Sequence, residues 1–349
     1  MTQLQRSSVS RLSALQTSLL RSPAARQFAV LIVGTALLAF LPFVLPVERH
    51  AVAVRTLIFA VMAVGWNIMS GFGGMFSFGH AAFFGIGAYA DAYLLVTHGI
   101  SPWVAMVVGA AVAAGFGVAT AYLLLRYRLT GAYFALATFA FAQMLLLLVS
   151  NLDALRKTLG FNIPILPDSS WAMMQFEQNS NNYIWIPLGL LALALAVNIL
   201  LVHSRTGQYV MAIRDDEAAA ESLGVPVMRY RLVAVAISSA VTAMAGAFYT
   251  QYYLYVDPDA AFGATVSVEA IVPAVIGGIG TIWGPVVGAA VVGPLSEVTA
   301  TILRDPPAAL SFLQGKSGLD VAMYGILLIL IVLFLSRGIY GSLAERFRR

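Results

Sequence analysis

The chain of 349 residues contains no cysteine, which removes a disulfide framework, a thiolate metal site and a cysteine nucleophile at once. Histidine is almost as scarce: His50, His80, His98 and His203 stand at spacings that suit no metal ion. Charge is the third shortage. Only 10% of the residues are charged, 60% are hydrophobic, and the mean hydropathy is +0.85. So little charge cannot solvate the surface of a soluble protein, and the composition belongs in a bilayer. The net charge of +4 does not indicate nucleic acid, because the basic residues follow membrane topology.

A crossing helix needs roughly 20 predominantly apolar residues. Ten stretches meet that need: 28–46, 51–70, 81–97, 102–125, 132–150, 183–203, 232–255, 267–283, 284–303 and 319–336. The expected fold is therefore an all-α polytopic membrane protein. The eighth and ninth stretches flank "VIGGIGTIWGPVVG" (Val275–Gly288), too rich in glycine for a simple helix, so eight spans plus a re-entrant hairpin is the alternative. Residues 1–27 hold Arg6, Arg11, Arg21 and Arg26 and no acid. The apolar run that follows, Phe28–Leu45, exceeds the ~7 to 15 residues of a signal sequence, although Ala51-Val52-Ala53 resembles a cleavage site. An uncleaved first span behind a cytoplasmic basic leader is expected.

Cytoplasmic segments hold the excess of lysine and arginine. The leader, Arg126 and Arg128, the loop 204–231 and the tail 338–349 with Arg337 hold fourteen of the twenty basic residues; Arg49, Arg156, Lys157, Arg304 and Lys316 fall on the other side, and Arg55 within a span. Both termini are thus expected in the cytoplasm, with 28–337 forming the membrane domain. The loop 151–182, with Trp171 and "EQNSNN", is expected outside. It reads first as a tethered surface excursion and second as a landing site for a soluble partner.

"SGFGGMFSFGHAAFFGIGAY" (Ser70–Tyr89) carries six glycines, each of which disfavours helix by up to about 1 kcal/mol relative to alanine. The backbone is expected to unwind between Gly71 and Gly79. Irregular backbone at membrane depth must be covered by protein or line a cavity, and broken helices often border transport sites. Gly71, Gly73, Gly74, Phe78 and His80 are pathway candidates on this ground, as are Gly277, Gly278 and Gly280, whose "GGIGTIWGPVVG" faintly echoes "GGMFSFGHAAFFG". The competing reading is close helix packing through small residues. His80 reads more readily as a hydrogen-bonded structural histidine. Asp91, Glu269 and Glu297 are acids within spans, and Asp91 and Glu269 are expected near outer ends, within reach of water. No lysine or histidine accompanies them to form a proton relay. Asn67, Gln143 and Asn198 are candidates for hydrogen bonds between helices. "QGKSG" (Gln314–Gly318) imitates a phosphate-binding loop, but Leu310 occupies the position of the required glycine. An ATPase, if used, lies on another chain.

One segment contradicts the apolar background. "AIRDDEAAAESLGVPVMRYRL" (Ala212–Leu232) holds four acids and three arginines. Asp215, Asp216 and Glu217 suit a helix start, Ala218–Ala220 propagate it, Gly224 suits its C′ position and Pro226 prevents continuation. Glu217 and Glu221 repel at i,i+4, which Arg214, Arg229, Arg231 or a partner's basic groups would offset. A short capped helix with a sharp stop is more structure than a linker needs.

The stretch Ser204–Tyr249, "SRTGQYVMAIRDDEAAAESLGVPVMRYRLVAVAISSAVTAMAGAFY", together with "GFGGMFSFGHAAFFGIGAY" and "GGIGTIWGPVVGAA", strongly resembles the permease subunits of bacterial ABC importers for branched-chain amino acids. The likeness, to the M-type permease above all, runs from about Val61 to the last span; urea-type and amide-type permeases are relatives. The resemblance implies a coupling helix docking on a cytoplasmic ATPase through Arg214, Asp215, Asp216, Glu217, Glu221 and Gly224. It implies no covalent chemistry and no cofactor on this chain, with ATP and Mg held by the ATPase. The implied partners are a homologous second permease, two ATPase subunits, a periplasmic solute-binding protein and membrane lipid, in the bacterial inner membrane. The wider importer motif has Glu-Ala-Ala three residues before a glycine; here Ala218-Ala219-Ala220 fills that frame and Glu217 falls one place early. Branched-chain or hydrophobic amino acids, amides and urea all remain open as substrates. The rival classes are an ion-coupled carrier or channel without an ATPase, and a membrane scaffold.

Overall fold

A computed structural model describes residues 23–165, 170–177, 180–304, 325 and 338–341. They fold as helices α1 (Pro23–Ala39), α2 (Leu41–Val44), α3 (His50–Trp66), α4 (His80–His98), α5 (Pro102–Arg126), α6 (Gly131–Asn151), α7 (Asn182–His203), α8 (Arg205–Asp215), α9 (Glu217–Ser222), α10 (Val227–Tyr253), α11 (Pro258–Phe262), α12 (Ala264–Gly277) and α13 (Gly284–Arg304). Seven segments among them are long and apolar enough to cross a bilayer. The protein is an all-α, multi-pass membrane protein. α4 is long enough as well, but His80, Asp91 and His98 leave it less apolar.

Each of the first seven expected spans coincides with a helix. α1 begins at Pro23, so the last residues of the expected leader are already helical. The eighth stops early, at Gly277, because Gly278 takes φ +128°, a conformation closed to other L-residues and incompatible with helix. The expected span 319–336 (Gly325 apart), the "QGKSG" stretch and most of the leader and tail lie outside the described residues.

α10 is the hub of the bundle, packing on α3, α4 and α5. Its small residues explain this. Gly87 of α4 lies directly on the Ala243 carbonyl, Gly246 of α10 on the Phe84 carbonyl, and Gly117 of α5 against Ser239, so that a Cβ at any of the three would collide. Lipid is as apolar as leucine, so helices here gain by close approach more than by burying apolar surface. α12 and α13 form a hairpin on the same principle, with Gly277 against the Gly284 carbonyl and Gly288 against the Pro273 carbonyl.

At one end of the bundle, strand β1 (Phe161–Asn162) pairs antiparallel with β2 (Tyr255–Val256), and Trp103 Nε1 donates to the Trp171 carbonyl at 2.8 Å. The long loop is thereby tied down. α8 and α9 occupy the opposite end, between α7 and α10.

Two expectations about polar residues are corrected. Asp91 is not within reach of water: it is fully buried and accepts a hydrogen bond from Gln251 Nε2. Of the three amides expected to join helices, only Asn67 does so. Asn198, fully buried, has no hydrogen-bond partner for either side-chain atom among the described residues, and Gln143 Nε2 has none.

Candidate functional site

α3 does not end at Trp66 but widens into a π-helical turn, Asn67–Phe72, which the Gly73 N–H to Ile68 carbonyl bond of 3.2 Å closes. From Gly73 to Gly79 the backbone is irregular, as the glycine content predicts. Such i→i+5 turns displace one residue from the helical ladder and recur at functional positions.

The displaced segment meets the turn between α12 and α13. Asn67, fully buried, donates from Nδ2 to the Thr281 carbonyl at 2.9 Å and accepts at Oδ1 from the Gly280 N–H at 2.8 Å. One side chain thus satisfies both polar groups of a turn that no helix or sheet can satisfy. Gly71 packs so closely beneath it that a Cβ would stand 2.7 Å from the Gly280 nitrogen. Asn67→Ala is expected to lower stability by about 2 kcal/mol, the loss of two buried hydrogen bonds; the thermal midpoint of the purified protein in detergent measures it.

A third segment closes the junction. Arg214, in the last turn of α8, donates from Nη1 to the Gly71 carbonyl at 3.1 Å and grips Asp215 Oδ1 through Nε and Nη2 at 2.9 and 2.7 Å. Gly74, at φ +68°, lies directly under it: a Cβ there would meet Arg214 Cγ at 2.7 Å. Gly280, at φ +72°, would meet Arg214 Nη1 at 3.1 Å. The two glycine-rich motifs and the charged segment, far apart in sequence, form one contact. Gly338 also approaches this junction, against Gly277 and Gly278.

Two candidates stand apart from it. The Phe78 backbone N–H donates to Thr138 Oγ1 at 3.2 Å and its ring packs edge-on against Phe76, with more than a third of the residue exposed. His80 opens α4, fully buried, 3.0 Å from Ser238 Oγ. That hydroxyl donates to the Gly65 carbonyl at 2.6 Å, so His80 Nε2 carries the hydrogen and ties α4 to α10. This bond is the geometry expected of a structural histidine, while the buried Nδ1 has no hydrogen-bond partner among the described residues.

α9 has the stop and start signals that its sequence carries, with one correction. Asp216 alone caps the helix, accepting from the Ala219 N–H at 3.0 Å; Asp215 is the last residue of α8 and is held by Arg214. Glu217 is joined by a forked pair of bonds, 2.8 and 2.7 Å, to Arg231 of α10, which offsets its repulsion by Glu221. Glu221 makes no ion pair among the described residues. Gly224 takes φ +82° and Val225 N–H returns to the Ala220 carbonyl at 3.1 Å, a left-handed helix stop. Leu223 is 85% exposed, more than any other large apolar side chain among the described residues. That exposure is not visible in sequence, where it reads as one leucine among many.

The profile of the family described as branched-chain amino acid transport system / permease component matches residues 49–334. The chain belongs to that family. Among relatives, the high-affinity branched-chain amino acid transport system permease protein LivM of Escherichia coli is 28% identical over 288 residues, 76% of this chain and 65% of LivM. LivH of the same organism is 27% identical over 298 residues, covering 81% of this chain and 91% of LivH. BraD of Pseudomonas aeruginosa is 27% identical over 301 residues, with the same coverages. The chain therefore spans just under two thirds of the length of LivM and most of LivH and BraD. No solved structure matches it.

Proposed function

We propose that this permease is the membrane subunit of an ATP-driven importer carrying branched-chain or other apolar amino acids across a bacterial inner membrane. The observation that carries the reading is the Arg214 bond to the Gly71 carbonyl, which joins an exposed, charged helix pair to two broken-helix segments within the membrane domain. A force applied to α8 and α9 reaches those segments without passing through lipid. The names of LivM, LivH and BraD support the substrate class.

In this reading α8 and α9 are the coupling element, with Arg214, Asp215, Asp216, Glu217, Glu221 and Gly224 facing or shaping the contact with an ATPase that holds ATP and Mg. In this reading Leu223, exposed at the end of α9 beside the Gly224 stop, is the apolar contact that such a partner covers. A second, homologous permease completes the path, a periplasmic solute-binding protein delivers the substrate, and alternating access follows. The α12–α13 turn touches the same junction as α8, so the hairpin reaches the cytoplasmic end and the ten-span topology with both termini inside is favoured over a re-entrant loop.

Purification of the tagged permease from its native membrane is expected to recover an ATPase and a second permease, and leucine uptake should require ATP. Recovery of this chain alone, with transport driven by an ion gradient, would establish a secondary carrier instead. Gly224→Val forces a branched side chain into φ +82°, a strain of about 1–2 kcal/mol, and Glu221→Lys reverses the free charge of α9. Both are expected to weaken ATPase retention or to uncouple hydrolysis from uptake; normal assembly with coupled transport in both would remove the coupling assignment.

A further inference from the structure

Two opposite charges sit inside the membrane domain, away from the junction. Arg55 of α3 places Nη2 3.2 Å from Glu269 Oε1 of α12. Each stands five residues from the start of its helix, His50 or Ala264, about 7.5 Å along it at 1.5 Å per residue. The two therefore share one depth, in the half of the bundle opposite α8 and α9. The Arg55 guanidinium lies 5.4 Å from the centre of the Phe59 ring. Tyr249 and Tyr253 of α10, with ring centres 4.4 Å apart, are within electrostatic reach of both charges.

The pair is not sealed: 43% of the Arg55 side chain and 32% of that of Glu269 are exposed. A pair left open at this depth cannot face hydrocarbon, because charge in a span is tolerated only towards protein or water. The broadest exposed apolar faces lie on α5, with Val104, Val107 and Val112, and on α6, with Leu136 and Leu147, although Val268 beside Glu269 is exposed as well. The open side of the pair, formed by α3, α10 and α12, therefore turns to protein or to water.

We propose that Arg55 and Glu269 are the recognition pair for a zwitterionic apolar amino acid on its way through the membrane. The inference rests on the amino-acid importer reading above. The carboxylate of the substrate replaces Glu269 on the Arg55 fork, its ammonium takes the freed Glu269 carboxylate, and its apolar side chain lies on Phe59, Tyr249 and Tyr253. One ion pair becomes two, no charge is left alone at any stage, and the net charge of the site does not change. An uncharged solute offers nothing in exchange for breaking the pair, so the site selects zwitterions after the binding protein has done so.

The test uses the complete transporter in proteoliposomes, with radiolabelled leucine, its binding protein and ATP. Arg55→Leu with Glu269→Leu removes both charges without leaving one unpaired. This variant is expected to assemble and hydrolyse ATP in response to leucine-loaded binding protein, yet to move leucine at least about tenfold more slowly, as expected for lost charge-assisted hydrogen bonds. Arg55→Glu with Glu269→Arg restores an ion pair but exchanges the poles against the aromatic wall, and uptake should stay low. Arg55→Lys preserves the pair and the fold, and is expected to slow uptake severalfold, because an ammonium lacks the fork that binds a carboxylate. Wild-type uptake in the double leucine variant, full rescue by the exchanged pair, or unchanged uptake in Arg55→Lys would show a mere tie between helices and overturn the proposal. Failure of the importer reading looks different: the wild-type transporter itself would not take up leucine, and the proposal would fall with it.

Discussion

Gly74→Val is expected to abolish uptake while the chain still assembles with the partners proposed for it. Gly74 has φ +68°, which a β-branched residue adopts only at a cost of about 1–2 kcal/mol. Its new Cβ would also stand 2.7 Å from Arg214 Cγ, well inside contact distance. Either the irregular segment 73–79 shifts or Arg214 leaves the Gly71 carbonyl. Both outcomes break the link between the charged helices and the glycine-rich turns, whereas the helix interfaces of α10 with α4 and α5 are untouched. Gly73→Val tests the same segment by a different clash, with the Met69 carbonyl at 2.5 Å. Co-purification measures assembly and radiolabelled leucine measures uptake. Wild-type uptake in both variants would dissociate this segment from transport.

Arg214→Ala is expected to leave ATP hydrolysis in place and to reduce uptake by at least about tenfold, the scale of a lost hydrogen bond to a charged group. The Gly71 carbonyl loses its donor, and α8 keeps its cap at Ser204 and its packing but no longer holds the π turn. Arg214→Lys keeps the charge but cannot hold Asp215 and the Gly71 carbonyl together, so it should fall between the two. The diagnostic quantity is leucine moved per ATP hydrolysed. A ratio equal to that of the wild type in Arg214→Ala would mean that coupling travels by another route.

The elements were legible where the physical signal is local. The apolar runs predict α1 to α7 and α10 because twenty apolar residues have one stable solution in lipid, and "DDEAAAESLG" predicts the short α9 because cap, alanines and C′ glycine act within a few residues of one another. The break after Phe72 was legible for the same reason. Asp91 was misread because hydropathy reports depth along a helix but not which face it turns to its neighbours; Gln251, 160 residues away, receives it. Likewise Asp215 and Asp216 look equivalent in sequence, and only the α8–α9 bend separates a cap from an ion-pair partner.

Composition and local pattern in the sequence were enough for an all-α membrane protein, the order of its apolar helices, and a charged, capped island between two of them, all consequences of interactions over one to three helical turns. Only the tertiary structure decided which distant groups meet. Asn67 reaches Gly280 across 213 residues, Arg214 reaches Gly71 across 143, and Arg55 reaches Glu269 across 214. Hydropathy and propensity carry no information on such pairs, because they depend on how glycine-lined helices nest against one another, and that geometry exists only once the whole bundle is packed.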